Sequence, residues 1–204
     1  MAVKVLEEGG FRSVPTLANV DPPAHTRVRK LANVAFTPRR VAEMEPFVRE
    51  LTVRFCDERL RDGHADIVRD FAWALPALVL FRILGVPDDE VPRVKEGSWS
   101  RILFIYGQPS ESEQVRTAEG LAAFWRFAEN LVGDRMANPR QDFVTDLVNA
   151  KDSDGKGLAI EQAATIVLNL LFAGHETTTG LLGNAFRRLL ADGDSWRTFA
   201  ATQP

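Results

Sequence analysis

From Ala159 to Ala191 the chain runs without a proline, with the turn-rich Asp152-Ser153-Asp154-Gly155-Lys156-Gly157 before it and Asp192-Gly193-Asp194 after it. A helix over that stretch is roughly 50 Å long at about 1.5 Å per residue, more than a small domain is wide. Between Ala163 and Gly174 only Thr165 and Asn169 are polar. This part is apolar all round, which predicts a buried central helix. The run is well short of the ~18 residues a membrane span needs. Further on, Phe186, Leu189 and Leu190 alternate with Arg187 and Arg188, which returns the helix to a surface.

Inside this segment Ala173-Gly174-His175-Glu176-Thr177-Thr178-Thr179 breaks a local rule. Successive threonines lose rotamer freedom in a helix, and their hydroxyls compete for the carbonyl four residues back. Thr177 is expected to bond back to the Ala173 carbonyl and open the helix there, leaving a polar notch in an apolar wall. Ala173 and Gly174 are small enough for a planar ligand to lie against the backbone. Glu176 and Thr177 place an acid and an alcohol at one point for proton chemistry. The competing reading is a core helix with a tolerated polar cluster, Glu176 being salt-bridged or turned to solvent.

A second pattern lies upstream, in Asp21-Pro22-Pro23-Ala24-His25-Thr26-Arg27-Val28-Arg29. Asp21 suits an N-cap and Pro22 the first helical position, where a missing N–H costs nothing. His25 and Arg29 then fall one turn apart on one face. Two donors so placed, one permanently charged, make a clamp for a carboxylate or phosphate. A solvated basic face near a helix start is the plainer alternative.

Together, Asp-Pro-Pro-x-His-Thr-x-x-Arg with Phe36-Thr37 downstream, and Ala-Gly-His-Glu-Thr-Thr more than a hundred residues later, resemble the cytochrome P-450 family, nearest to its soluble bacterial type. The resemblance implies a mainly α fold, the middle portion that the family letters helices C to I and the start of J, with little or no β. It implies a haem-dependent monooxygenase that activates O2 reductively to hydroxylate a small apolar organic substrate. Haem b is the implied cofactor. Electrons would come from a nicotinamide cofactor through a ferredoxin or flavin reductase in the intact parent. By the same resemblance His25 and Arg29 bind haem propionates, Ala173 and Gly174 line the oxygen and substrate space, and Glu176 and Thr177 relay protons. The chain divides accordingly: a substrate-facing loop over 1–20, the clamp and following helices over 21–62, lid helices over 87–136, and the long distal helix over 159–191, all in one partial domain (1–204).

The family's metal ligand is a cysteine in a glycine-rich loop after the distal helix, whose thiolate favours O–O cleavage. The one cysteine here, Cys56, stands mid-helix and upstream, so it is read as a packing or surface residue and no axial ligand is assigned. The family's Glu-x-x-Arg pair also belongs later than the matches at Glu58/Arg61, Glu90/Arg93 and Glu113/Arg116. The chain therefore reads as the middle of the fold, inactive alone, with a non-catalytic helical haem or apolar-ligand binding module, or a gene remnant, as alternatives.

The remaining sequence agrees with a helical domain. At 45% hydrophobic and 26% charged, the 204 residues suffice for a sizeable core. A net charge of -3 gives no reason to expect nucleic acid or an anionic membrane. Met1 to Glu8 has no apolar core for a signal peptide, and a single cysteine excludes a disulfide framework, which leaves the cytoplasm as the default. Helices are expected over Pro38 to Leu60 (ended by Asp62-Gly63), Ile67 to Leu84 kinked or divided at Pro76, Val91 to Tyr106, Glu113 to Met136, Asp142 to Ala150, and from Ser195 to Ala201. Trp99, Phe104, Tyr106, Phe124, Trp125 and Phe127 suit an apolar pocket under a lid, or equally packing between two amphipathic helices. Asp152, Asp154, Gly155 and Glu161 mimic a calcium loop whose first ligand position is Ala150, so that frame fails. His175-Glu176 starts like a zinc-protease motif, but Thr179 stands where the second histidine belongs. His64 reads as a helix-end or solvated residue.

Overall fold

The computed structural model describes residues 1–33, 36–59 and 63–202, and these are helical without any strand. The helices are α1 (Ala2–Glu8), α2 (Ala24–Asn33), α3 (Pro38–Glu43), α4 (Glu45–Arg59), α5 (Leu75–Leu84), α6 (Val91–Tyr106), α7 (Glu111–Ala137), α8 (Phe143–Asn149), α9 (Ile160–Ala191) and α10 (Gly193–Ala201). The mainly α expectation holds, and α6 begins and ends where the sequence places it. The central helix α9 is continuous, and α5, α6, α7 and α8 all pack on it. Its first half is enclosed: Ala163, Ala164, Ile166, Val167, Leu168 and Leu171 lie in one core with Phe81 and Leu84 of α5, Trp125 of α7, and Phe143 and Leu147 of α8.

Proline and glycine set most of the boundaries. Ile67 to Leu84 is divided, as Pro76 predicts: a wide π-type turn over Ile67–Ala72, capped by Asp66, precedes α5, whose first turn contains Pro76. The 38–60 helix is likewise two helices, with Met44 between them. Pro46 explains the division, since a residue without an N–H fits only the opening turn of α4. The expected stop at Asp62 and the end at Leu60 fall outside the described residues, as does Arg61. The clamp helix starts at Ala24, later than Pro22; Pro22 and Pro23 form a turn before it, across which His25 N–H donates to the Asp21 carbonyl. Part of the loop expected over 1–20 is helical: α1 packs on α7, with the Gly9 carbonyl taking a hydrogen bond from Arg126 at 2.7 Å.

A buried arginine joins three of these elements. Arg135, near the end of α7 and 2% exposed, donates to Asp142 Oδ2 at 2.5 Å and to the Gly85 carbonyl at 2.5 Å. Asp142 in turn caps α8 by accepting from Thr145 N–H at 2.8 Å. Gly85 ends α5 at φ 73°, a left-handed conformation that glycine adopts without a Cβ penalty. A Cβ there would also overlap the Asp142 carboxylate. The 150–158 loop is held to α2 in a similar way: Arg27 donates to Asp152 Oδ2 at 2.6 Å and to the Gly157 carbonyl at 2.8 Å.

Candidate functional site on the central helix

Beyond Leu168, α9 emerges from the core on one side. His175 stays fully buried, whereas Ala173, Gly174, Thr177, Gly180 and Leu181 are exposed, so one stripe of the helix faces outward. The expectation of a helix buried all round to Gly174 therefore fails at its end, because nothing among the described residues covers that stripe. Gly174 has a packing role as well: a Cβ on it would stand 3.1 Å from Leu80 of α5.

The three threonines take three different paths. Thr177 Oγ1 donates to the Ala173 carbonyl at 2.9 Å, the back-bond expected from sequence, yet α9 runs through it unbroken. Thr178 is exposed. Thr179 Oγ1 donates to the Ala72 carbonyl at 2.9 Å, which supplies a partner to a backbone group at the end of the π-type turn.

Glu176 is salt-bridged, one arm of the plainer alternative above. Its Oε1 lies 2.9 Å from His175 Nε2 and 3.4 Å from Lys95 Nζ of α6. The His175 hydrogen bond is the largest cause holding the carboxyl below its ordinary value, with His175 and Lys95 charge adding to it against desolvation. Lys95 is only 7% exposed. Burial pulls its pKa down, and the attraction of Glu176 does not fully offset that loss of hydration. The ammonium also sits 5.3 Å from the centre of the Trp73 ring, a cation–π contact. Seven residues before Glu176, Asn169 accepts from Arg101 of α6 at 2.9 Å. A polar seam thus joins α6 to the middle of α9.

Lys95 and Arg101 were not singled out by sequence reasoning. A signal exists for the first. Val91, Val94, Lys95 and Ser98 fall at i, i+3, i+4, i+7 and are all buried, so a lysine in an apolar stripe was legible as a residue needing a partner.

On α2, His25 is half-buried and Arg29 exposed. Their side chains make no hydrogen bond or ion pair among the described residues, which leaves both free to meet an anion. The structure shows no contact between this pair and the 173–177 stripe. Cys56 is a half-buried residue of α4. Among the described residues no group of histidine, cysteine, aspartate and glutamate is placed to hold a metal ion. No helix among them is long and apolar enough to cross a membrane.

Comparison with known proteins gives one consistent answer. No protein-family model matches the chain. It is 34% identical over 180 residues to cytochrome P450 107B1 of Saccharopolyspora erythraea, covering 88% of this chain and 42% of that protein. It is 31% identical over 186 residues to the vitamin D(3) 25-hydroxylase of Pseudonocardia autotrophica, covering 91% of this chain and 44% of the relative. Among solved structures, cytochrome P450 CREJ in complex with (4-ethylphenyl) dihydrogen phosphate superposes with a TM-score of 0.92 at 33% identity, over 98% of this chain and 50% of that one. The chain spans about half the length of the relatives it matches.

Proposed function

The chain belongs to the cytochrome P450 family, and on that premise we propose that it forms the distal half of a haem monooxygenase site. The reaction is hydroxylation of an apolar organic substrate with O2, electrons arriving through a ferredoxin or flavin reductase. The observation that carries this reading is the outward stripe of α9, where small residues and the Thr177 hydroxyl share two turns of one helix, with the half-buried Glu176 beside them on the side of α6.

The residues suit a haem b in two respects. Ala173 and Thr177 offer a low, exposed surface for a flat macrocycle, and the uncommitted His25 and Arg29 suit propionate carboxylates. They do not include an iron ligand. Cys56 is a half-buried residue of α4 and is not assigned to the iron. When bound, the haem supplies the redox chemistry of oxygen activation.

The chain's own share is position and proton supply. The Thr177 hydroxyl is fixed by its bond to the Ala173 carbonyl, so its lone pairs face outward at a defined point. Glu176 is an acceptor at neutral pH, because its folded pKa lies below the ordinary carboxylate value. It takes a proton from the side of His175 and Lys95 and passes it toward Thr177.

Two haem-uptake measurements test this. His25→Ala and Arg29→Ala together should weaken uptake at least about a hundredfold, the scale of two lost charge-assisted hydrogen bonds at about 1.5–3 kcal/mol each. Unchanged uptake removes the clamp. The reduced chain with carbon monoxide should show no thiolate-type Soret band. Finding one would assign the thiolate to Cys56 and overturn the account of the missing ligand.

A further inference from the structure

Among the described residues Arg101 is a cation without an anion. It lies partly buried on the α9-facing side of α6, and Nη2 donates only to the neutral Asn169 amide oxygen. Its Nε is sealed from solvent with no hydrogen-bond partner, and no ion pair reaches it among the described residues. The acid of this seam, Glu176, is two turns further along α9 and already shared by His175 and Lys95. Burial alone pulls the guanidinium below its ordinary pKa.

A second orphan stands in the same seam. Ser98, three residues before Arg101, is 0% exposed, and its Oγ has no partner. One turn past Arg101 on the same strip of α6, Ile105 is 44% exposed. On α9, Asn169 precedes the exposed Ala173 by one turn. The unpaired donors are thus bordered on both helices by open apolar surface.

Fastening α6 to α9 does not require this arrangement. A neutral amide at 101 would make the bond to Asn169 without desolvating a full charge, and of the side-chain atoms left buried and unmatched Arg101 Nε belongs to a permanent cation, the costliest kind to leave so. A bound anion supplies the counter-charge. The guanidinium fork matches two oxygens of a carboxylate or phosphate.

We propose that Arg101 and Asn169 form an anion subsite, so that the substrate is an apolar molecule carrying a carboxylate or phosphate group. The Arg101 Nη groups not used by Asn169, with the Asn169 amide N–H, receive the acidic oxygens, while the sealed Nε stays behind them. The apolar body runs along Ile105 and Ala173 toward Thr177. This rests on the reading of the α9 stripe as the reaction face and adds the polarity of what is held there.

Calorimetric titration of the chain at low salt with 4-butylbenzoate, 4-butylphenyl phosphate and the uncharged 4-butylphenol tests it. One or both anions should bind at least about tenfold tighter than the phenol, the gain expected of charge-assisted hydrogen bonds. Whichever anion binds tighter identifies the acidic group. Arg101→Gln should erase the preference while leaving phenol binding in place, Arg101→Lys should keep part of it, and Lys95→Gln should keep all of it. Should Arg101→Gln not fold by circular dichroism, Asn169→Ala must weaken the anion selectively. Equal binding of anion and phenol, no binding of any probe, or a preference that follows Lys95 instead of Arg101 overturns the subsite. Haem uptake is read separately. A chain that prefers the anion without taking haem keeps the subsite and loses the reaction reading, and one that takes haem without the preference loses the subsite alone.

Discussion

The Lys95–Glu176 pair predicts an asymmetry between its two halves. Removing the carboxylate with Glu176→Gln keeps the acceptor for His175 but leaves the buried Lys95 ammonium with no counter-charge. Breaking a buried pair in this way costs roughly 3–5 kcal/mol when both groups are enclosed. Glu176 is 27% exposed and the lysine has the alternative of releasing its proton, so the expected loss falls to about 2–3 kcal/mol. Removing the cation with Lys95→Met works differently. It forfeits a 3.4 Å contact and the Trp73 interaction, but it also abolishes the desolvation of an ammonium, and the net change should stay within about 1 kcal/mol. The double variant should then be about 2 kcal/mol more stable than Glu176→Gln alone, because no charge is left stranded. Urea unfolding followed by circular dichroism at pH 7 measures all four proteins. If Glu176→Gln matched the wild type, or the double variant were no better than Glu176→Gln, Glu176 would not be the counter-charge that holds the buried Lys95 ammonium.

Two further predictions come from the joints of the fold. Gly85→Ala combines a left-handed φ with overlap onto the Asp142 carboxylate, which Arg135 and the Thr145 N–H hold in place. It should cost about 2–4 kcal/mol in urea unfolding, and a loss under about 1 kcal/mol would mean that Asp142 moves aside freely. Asp152 is held below its ordinary value of 3.8, first by the Arg27 hydrogen bond. A lowered folded pKa stabilises the fold above the unfolded value, and that stability is lost as pH falls through the folded pKa. Stability should therefore drop in acid from about pH 4 downward, and Arg27→Met should flatten the part due to Asp152. An unchanged acid profile in Arg27→Met would rule out the loop tie.

What the sequence made legible was local. Pro76 announced a division, Pro87 and Gly107 bracketed α6, and the missing prolines of 159–191 announced α9. Pro46 carried an equally local signal for the Met44 break, but the apolar spacing around it outweighed it. Contacts between distant elements were not legible. Ala2–Glu8 has too few turns to be helical unaided and depends on α7 beneath it. Arg135 looked like an ordinary charge on a long helix, since Gly85 and Asp142 reach it only through the fold. In the candidate site, the Thr177 back-bond followed from residue chemistry alone. The Lys95 and Arg101 contacts required knowing that α6 lies across α9. The exposure of Ala173 and Gly174 ran against the apolar pattern, because hydrophobicity reports that a surface wants cover and does not say what provides it.

The central claim, that the outward stripe of α9 is the proton-supplying face of an oxygen-activating site, is tested most directly by coupling efficiency. In a full-length P450 carrying these 204 residues as its distal half, product formed per nicotinamide consumed is measured for the wild type and Thr177→Ala. The account predicts that nicotinamide consumption continues while product falls, the difference appearing as hydrogen peroxide. Equal coupling in the two proteins would contradict it.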